Sequence, residues 1–260
     1  MPPQTLQKAG RLLDLLADHP EASAARLAEL TGEPRSSVYR LLEGLRELEL
    51  VEPGTRRGSF RLGLELVRLG GAVLSRFDER QAALPAMERL HERTGQTVHL
   101  VVARGREAVC IERIEGRDIA TLAMRLGSAL PLHVGGAPRA LLAWLPEDAR
   151  GAYLADGPLE ALTPATITDP VALAASLQAT REAGVSVSDE DVTVGVASIG
   201  APVFGFDGRA RAAISIGGTR AAVLGPDRER LITAVRAAAR EASAALGAAA
   251  DERPHRAPAR

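Results

Sequence analysis

Pro34-Arg35-Ser36-Ser37-Val38-Tyr39-Arg40-Leu41-Leu42-Glu43-Gly44-Leu45 is the stretch from which the rest of the chain can be read. Wound at 100° per residue, Val38, Leu41, Leu42, Leu45 and Leu48 form one apolar stripe, and Ser36, Tyr39, Arg40, Glu43 and Glu47 fall opposite. Pro34 suits the first helical position, where its missing N–H costs nothing. The exposed face at the helix start therefore offers guanidinium groups, hydroxyls and a phenol, with no carboxylate before Glu43. Such a face can meet phosphates and base edges, and it reads as the recognition helix of a DNA-binding helix-turn-helix.

The flanking sequence supports this. Leu6, Ala9, Leu12, Leu13 and Leu16 predict a first helix that stops near His19-Pro20. Ser23 is a good N-cap for a second, shorter helix carrying Leu27, Ala28 and Leu30, broken by Thr31-Gly32-Glu33. Two short helices joined by a Gly-containing turn are the helix-turn-helix pattern. Beyond Leu50-Val51, Glu-Pro-Gly-Thr-Arg-Arg-Gly-Ser leads to Phe60-Arg61-Leu62. A turn-rich, Arg-bearing segment between short strands is expected to form a wing that sets Arg56 and Arg57 on a flanking phosphate or in the minor groove. The helix expected from Gly63 to about Phe77 has more apolar residues than one face needs, so it should bury against a second chain or the next domain.

Composition constrains this reading. The 260 residues suffice for two domains with real cores. Net charge is −1, and residues 1–75 are neutral, with Lys8 and nine Arg against ten Asp and Glu. DNA affinity must then come from where arginines are placed, not from a basic domain. Cys110 is the only cysteine, which rules out an internal disulfide; its strand-like setting reads as a small buried hydrophobe. With no signal pattern and no apolar run of about 18 residues, a cytoplasmic protein without membrane contact is expected.

From about residue 78 the pattern becomes α+β. A helix is expected over Gln81–Arg93, ended by Thr94-Gly95. Strands are expected over Thr97–Ala103, Glu107–Ile114 and Ile119–Leu126. Asp169-Pro170 caps a helix running to Gly184, Val203–Phe206 and Ala210–Ile216 flank the turn pair Asp207-Gly208, and Asp227–Leu246 closes the domain. This mixture suggests an antiparallel sheet with helices to one side. Residues 248–260 carry Ala, Pro and charge and are expected to be a disordered tail.

The string ELTGEPRSSVYRLLEGLRELELVEP…GSFRLGLELVRLG resembles the winged helix-turn-helix of the IclR (isocitrate lyase regulator) family of bacterial transcription factors, and the similarity continues through residue 246. The resemblance implies two domains. One is an N-terminal, mainly-α winged helix-turn-helix (1–62), followed by a linker and dimerisation helix (63–77). The other is a C-terminal α+β GAF-like effector-binding and oligomerisation domain with an antiparallel sheet (78–247). It also implies a homodimer, or a tetramer built as a dimer of dimers.

Leu126 to Ala143 leads from a strand and loop through Gly135-Gly136 into a helix N-terminus. Backbone amides there suit a carboxylate, although an ordinary loop needing positive φ would look the same. Family members commonly show His-x-Thr/Ser-Ala/Gly-x-Gly-Lys-Ala at this place. That match implies effector contacts from the backbone N–H groups of Gly136 and Ala137, with Leu130 lining the pocket. This chain departs in Pro138 for Gly and Arg139 for Lys, which removes one amide donor. Ser188 and Ser198 fall on two further effector positions, where an acidic group and a thiol are usual, so the pocket chemistry moves away from that of keto-acid binders. Asp189, Glu190 and Asp191 read as a solvated turn.

Two rival functions deserve a test. A hydrolase using Ser198 with His133 lacks the glycine two residues before the serine, since Val196 stands there. His19, His91, His99, His133 and His255 show no metal-ligand spacing, and no phosphate-binding loop is present, so no metal or cofactor is expected. A winged-helix protein–protein adaptor would bind without salt dependence. The reading adopted is a transcriptional regulator, not an enzyme. It would contact a pseudo-palindromic operator on double-stranded DNA through Arg35, Ser36, Ser37, Tyr39, Arg40, Arg56 and Arg57. A small organic effector, a carboxylate or aromatic acid, would bind at Leu130, Gly136, Ala137, Ser188 and Ser198.

Overall fold

A computed structural model describes residues 3–116 and 124–248. The chain divides into two compact units, 1–76 and 77–260.

The first unit begins with α1 (Gln4–Asp18), which ends before His19-Pro20. A two-residue strand β1 (Ala22–Ser23) leads into α2 (Ala24–Thr31), whose first turn is capped by the Ser23 hydroxyl accepting from Arg26 N–H at 3.2 Å. Gly32, at φ +71°, closes α2 in the left-handed region that favours glycine. α3 (Arg35–Glu47) follows. Pro34 is the residue before the helix, with ψ of 137°, and not its first member. Its carbonyl accepts from Ser37 and Val38, so it serves as the cap. Val38, Leu42 and Leu45 pack with Leu12, Leu16, Leu27 and Phe60, but Leu48 does not join them. The helix ends at Glu47 and the chain turns through Glu49 at φ +57°, leaving Leu48 64% exposed. β2 (Val51–Pro53) and β3 (Ser59–Leu62) make the wing hairpin; β1 adds to β3, giving the antiparallel order β1-β3-β2. α4 (Glu65–Leu74) closes the unit without a buried residue.

Among the described residues, the second unit is built on one six-stranded antiparallel sheet. α5 (Asp78–Thr94) precedes β4 (Thr97–Arg104) and β5 (Glu107–Ile114), with Gly105 at φ +61° in the turn between them. β6 (Ala129–Pro131) leads into α6 (Gly136–Trp144), α7 (Glu147–Ala155) and α8 (Pro170–Ala183), the last capped by Asp169 accepting from Ala172 N–H at 2.7 Å. β7 (Ser186–Asp189), β8 (Val196–Phe204) and β9 (Ala210–Thr219) are followed by α9 (Arg220–Leu224) and α10 (Arg228–Ala245). The strand order is β6-β5-β4-β9-β8-β7. The strand expected over Ile119–Leu126 falls mostly on 117–123, outside the described residues, and 124–126 are not strand. The expected tail lies outside them from 249 onward.

Helices cover both faces of the sheet, not one. α5 and α10 pack on each other and on β4, β8 and β9, whereas α6, backed by α8, meets the same strands from the other side with Val101 and Ala213 in its core. Unbroken burial along β4, β8 and β9 is the sequence counterpart, because a strand apolar on both faces loses its alternation. β8 therefore starts at Val196, seven residues earlier than expected, and Phe206 lies beyond its end, exposed.

α6 approaches β8 backbone to backbone. A Cβ on Gly200 would stand 2.4 Å from the Gly136 carbonyl carbon and 2.5 Å from Ala137 N, and one on Gly136 would stand 2.8 Å from Gly200 N. Gly200→Ala is expected to cost about 3 kcal/mol through overpacking against backbone that cannot yield. Urea unfolding of the variant beside wild type measures this, and an unchanged midpoint contradicts it.

Candidate functional site

In the first unit, α2 and the Gly32 turn present the outer face of α3. Arg35, Ser36, Tyr39 and Arg40 are exposed on it and Ser37 is half-buried. Tyr39 leans on the wing, its ring edge-on to Phe60 of β3 at 6.4 Å between centroids. Arg56 and Arg57 stand exposed at the wing tip. The ion pairs of this unit tie Lys8 to Glu33, Arg26 to Glu29, Arg46 to Glu43, Arg61 to Glu52 and Arg68 to Glu65. Among the described residues they leave Arg35, Arg40, Arg56 and Arg57 without a carboxylate partner. Residues 1–75 are neutral overall, but their charge is sorted: five cations are paired with acids, and those of the helix face and wing tip are not.

One residue that sequence reasoning missed shapes this surface. Glu21, just before β1, reaches the wing: its carboxylate accepts from Thr55 Oγ1 at 2.7 Å, from Arg56 N–H at 2.8 Å and from the Ser59 hydroxyl. These hydrogen bonds, the Ser59 hydroxyl foremost, lower its pKa from 4.5 to about 2. Gly54 leaves room for this clamp, since a Cβ there would stand 2.7 Å from the Glu21 carboxyl carbon. No local motif announces a contact across more than thirty residues.

In the second unit the five effector candidates come together. Leu130, Gly136, Ala137, Ser188 and Ser198 all line one cavity of about 60 Å³ beneath the N-terminus of α6, over β8 and β9. Sequence reading did not find His99, Ser215 and Gly217, which form part of its wall. His99 and Ser215 are register partners on β4 and β9, so a strand pair missed as a pair hides them. Burial drives the His99 pKa down to about 4, with Arg113 adding to the effect, so the ring is neutral at pH 7.

The α6 end is not the open amide cradle that the sequence suggests. Gly135 N–H points at the Asp191 carboxylate at 3.3 Å, and Gly136 N–H donates to Ser198 Oγ at 2.9 Å. Pro138, third in the helix, has no N–H to give. Asp191 is likewise not part of a solvated turn. It is 2% exposed and ion-paired with Arg139, 4% exposed, whose guanidinium also donates to Val187 O at 3.0 Å and His133 O at 3.3 Å. Asp189 does lie at the surface, paired with Arg220 at 2.7 Å, and Glu190 accepts from Gly195 N–H at 2.7 Å. Burial lowers the Arg139 pKa to about 10, which leaves the pair ionised at neutral pH.

Ser198 and His133 are not a nucleophile and its base. His133 Nε2 donates to the Glu160 carbonyl at 2.9 Å, which leaves Nδ1 to accept from the Tyr153 hydroxyl at 2.9 Å. Ser198 sits mid-strand in β8, and no hydrogen bond joins the two. Cys110 is buried, its thiol pushed up to about 12 by desolvation, and inert as a nucleophile at neutral pH. Among the described residues no three His, Cys, Asp or Glu side chains are grouped to hold a metal ion, and no helix is long and apolar enough to cross a membrane.

Comparison with known proteins gives one family. Residues 71–244 match the model of the bacterial transcriptional regulator IclR C-terminal domain, and residues 5–54 match the IclR helix-turn-helix domain. The HTH-type transcriptional regulator KipR of Bacillus subtilis is 34% identical over 218 residues, covering 84% of this chain and 87% of KipR. The Thermotoga maritima IclR structure superposes with a TM-score of 0.77 at 31% identity, over 94% of this chain and 98% of that one. An IclR homologue from Microbacterium hydrocarbonoxydans, crystallised with 4-hydroxybenzoate, gives 0.79 at 26% identity, over 94% and 99%.

The Glu21 clamp makes a pH prediction. A carboxylate whose folded pKa is depressed stabilises the wing fully above its ordinary pKa of 4.5 and loses that contribution as pH falls through about 2. Amide exchange at Thr55, Arg56 and Ser59 should therefore stay slow at pH 4.5–7 in wild type. It should be fast across that range in Glu21→Gln. Equal exchange in both proteins refutes the clamp.

Proposed function

The chain belongs to the IclR family of bacterial transcriptional regulators, and from that premise we propose how its own residues bind DNA and sense an effector. It is a DNA-binding regulator whose helix-turn-helix is α2–α3. Arg35, Ser36, Ser37, Tyr39 and Arg40 enter the major groove and the adjoining phosphates, while Arg56 and Arg57 meet the flanking backbone or the minor groove. The supporting observation is that Arg35, Arg40, Arg56 and Arg57 on this surface keep their charge unpaired, while Lys8, Arg26, Arg46, Arg61 and Arg68 are each paired with a carboxylate. With no net charge over residues 1–75, phosphate attraction must come from such local residues.

Two copies work together. α4 carries Leu64 at its cap and Val67, Leu69 and Val73 on its surface, each exposed by 41–77% in the single chain. A helix this apolar with nothing buried calls for a partner, and pairing through it sets two α3 helices on a pseudo-palindrome, one turn or a multiple apart. The head then occupies 1–62, the pairing helix 63–77 and the sensor 78–247; a dimer of dimers adds a second pair of heads. Such a protein acts in the cytoplasm, where its DNA is.

The sensor takes a small organic effector in the cavity of Leu130, Gly136, Ala137, Ser188 and Ser198. The 4-hydroxybenzoate carried by the Microbacterium relative supports an organic acid. At about 60 Å³ the cavity has room for roughly five non-hydrogen atoms, counting about 10–15 Å³ for each water-sized group, so an aromatic acid must widen it. An effector that binds only one arrangement of the heads then biases operator affinity.

Selection of bound sequences from random duplex DNA should return an inverted repeat. On that operator, log K should fall linearly with log salt, and Arg40→Ala or Tyr39→Ala should each cost about 1–3 kcal/mol of binding. Salt-indifferent association, or indifference to both substitutions, favours a protein-docking module instead.

A further inference from the structure

Ser188 and Ser198 lie directly opposite each other on β7 and β8, and both line the cavity. Their hydrogen-bond directions are fixed by chemistry. Gly136 N–H can only donate, so Ser198 Oγ accepts from it at 2.9 Å, and no acceptor among the described residues takes the Ser198 proton. The Asp191 carboxylate, ion-paired with Arg139 and facing Gly135 N–H, can only accept. The Ser188 hydroxyl therefore donates to Asp191, and Ser188, 3% exposed, keeps its lone pairs for the cavity. Turning that proton into the cavity would forfeit a charge-assisted hydrogen bond.

The two serines are halves of one polarised chain running from Gly136 N–H through Ser198 O–H, then Ser188 O–H, to the Asp191 carboxylate. No hydrogen bond joins Ser198 to Ser188. Opposed Cβ atoms in an antiparallel pair are about 4.5–5.5 Å apart, which one intervening oxygen can span. That oxygen must accept from Ser198 and donate to Ser188. A hydroxyl does both on a single atom. A carboxylate or an ether offers only lone pairs and meets those of Ser188; a methyl group leaves both serines unanswered.

We propose that Ser188 and Ser198 select an effector bearing a hydroxyl group, which completes this chain, with Asp191 as the positioning residue that orients Ser188. The proposal rests on the effector reading of the same cavity and narrows it from organic acids at large to hydroxylated ones.

The test uses matched pairs, glycolate with acetate and 4-hydroxybenzoate with benzoate, plus 4-methoxybenzoate as the ether control. Calorimetry on the full chain measures binding up to 10 mM ligand. In wild type the hydroxylated member of a pair that binds should win by roughly tenfold or more, because a site built to hydrogen-bond a hydroxyl rejects the analogue lacking it. Ser188→Ala should erase that preference by weakening the hydroxylated member more than the plain acid, a split that general loss of structure, which weakens both alike, would not produce. Ser188→Thr, which keeps the hydroxyl, should restore it. Equal binding within the pairs, an ether that binds as well as the phenol, or a preference that survives in Ser188→Ala overturns the proposal. Gly217→Val separates this from the underlying reading, since Gly217 borders the cavity with its nearest neighbour, His99, at ordinary contact distance. Acids that bind wild type without preference and fail to bind Gly217→Val leave the effector site standing and remove the hydroxyl selection. If wild type binds none of the compounds, both fall.

Discussion

Arg139 and Asp191 sit almost wholly out of water, and the effector domain's cavity depends on their being paired. Removing two charges from solvent is expensive, and attraction offsets this only where the remaining donors and acceptors are used. Here they are used. The guanidinium reaches the carbonyls of His133 and Val187, and the carboxylate takes the Ser188 hydroxyl and faces the Gly135 amide. One pair thereby fixes the entry to α6, the β7 strand and the turn after it. The Gly136–Gly200 contact then holds α6 against β8 at a distance no side chain would permit. The cavity is what remains between these restraints, and its polar character follows from where each forces a proton.

The head unit solves a different problem, gripping a polyanion without net positive charge. It does so by sorting its charges. Ion pairs occupy Lys8, Arg26, Arg46, Arg61 and Arg68, and Glu21 uses its charge on wing hydrogen bonds. Burying Val38, Leu42 and Leu45 orients α3, and the Tyr39–Phe60 contact couples that helix to the wing. Sequence position, core packing and charge thus converge on one surface.

Much of this was legible from residue patterns, and the rest failed for identifiable reasons. α1 to α3, the wing, the Asp169 and Gly184 caps and the β4–β5 hairpin follow from 3.6- or 2-residue periods and from turn chemistry, which are local. β7 and the early part of β8 were missed because Ser188, Ser198 and Gly200 look like loop residues; the contacts that make them strand are long-range. Helices on both faces of the sheet were missed because a doubly buried strand does not alternate. Asp191 was misread because a three-acid run ordinarily faces water, and only its partner, 52 residues away, shows otherwise. The five effector candidates came from family resemblance. Their convergence on one cavity is a fact of the fold, whereas the fate of their protons could be read only from hydrogen-bond partners.

The claim underlying the rest is that one buried ion pair builds the cavity, and a double-mutant cycle on it is the direct measurement. Urea unfolding of Arg139→Met, Asp191→Leu and the double variant should show each single losing about 3–5 kcal/mol, as an uncompensated buried charge demands, and the double losing far less than their sum. Losses that add, or singles that cost nothing, would mean that the pair is incidental and that something else holds the site together.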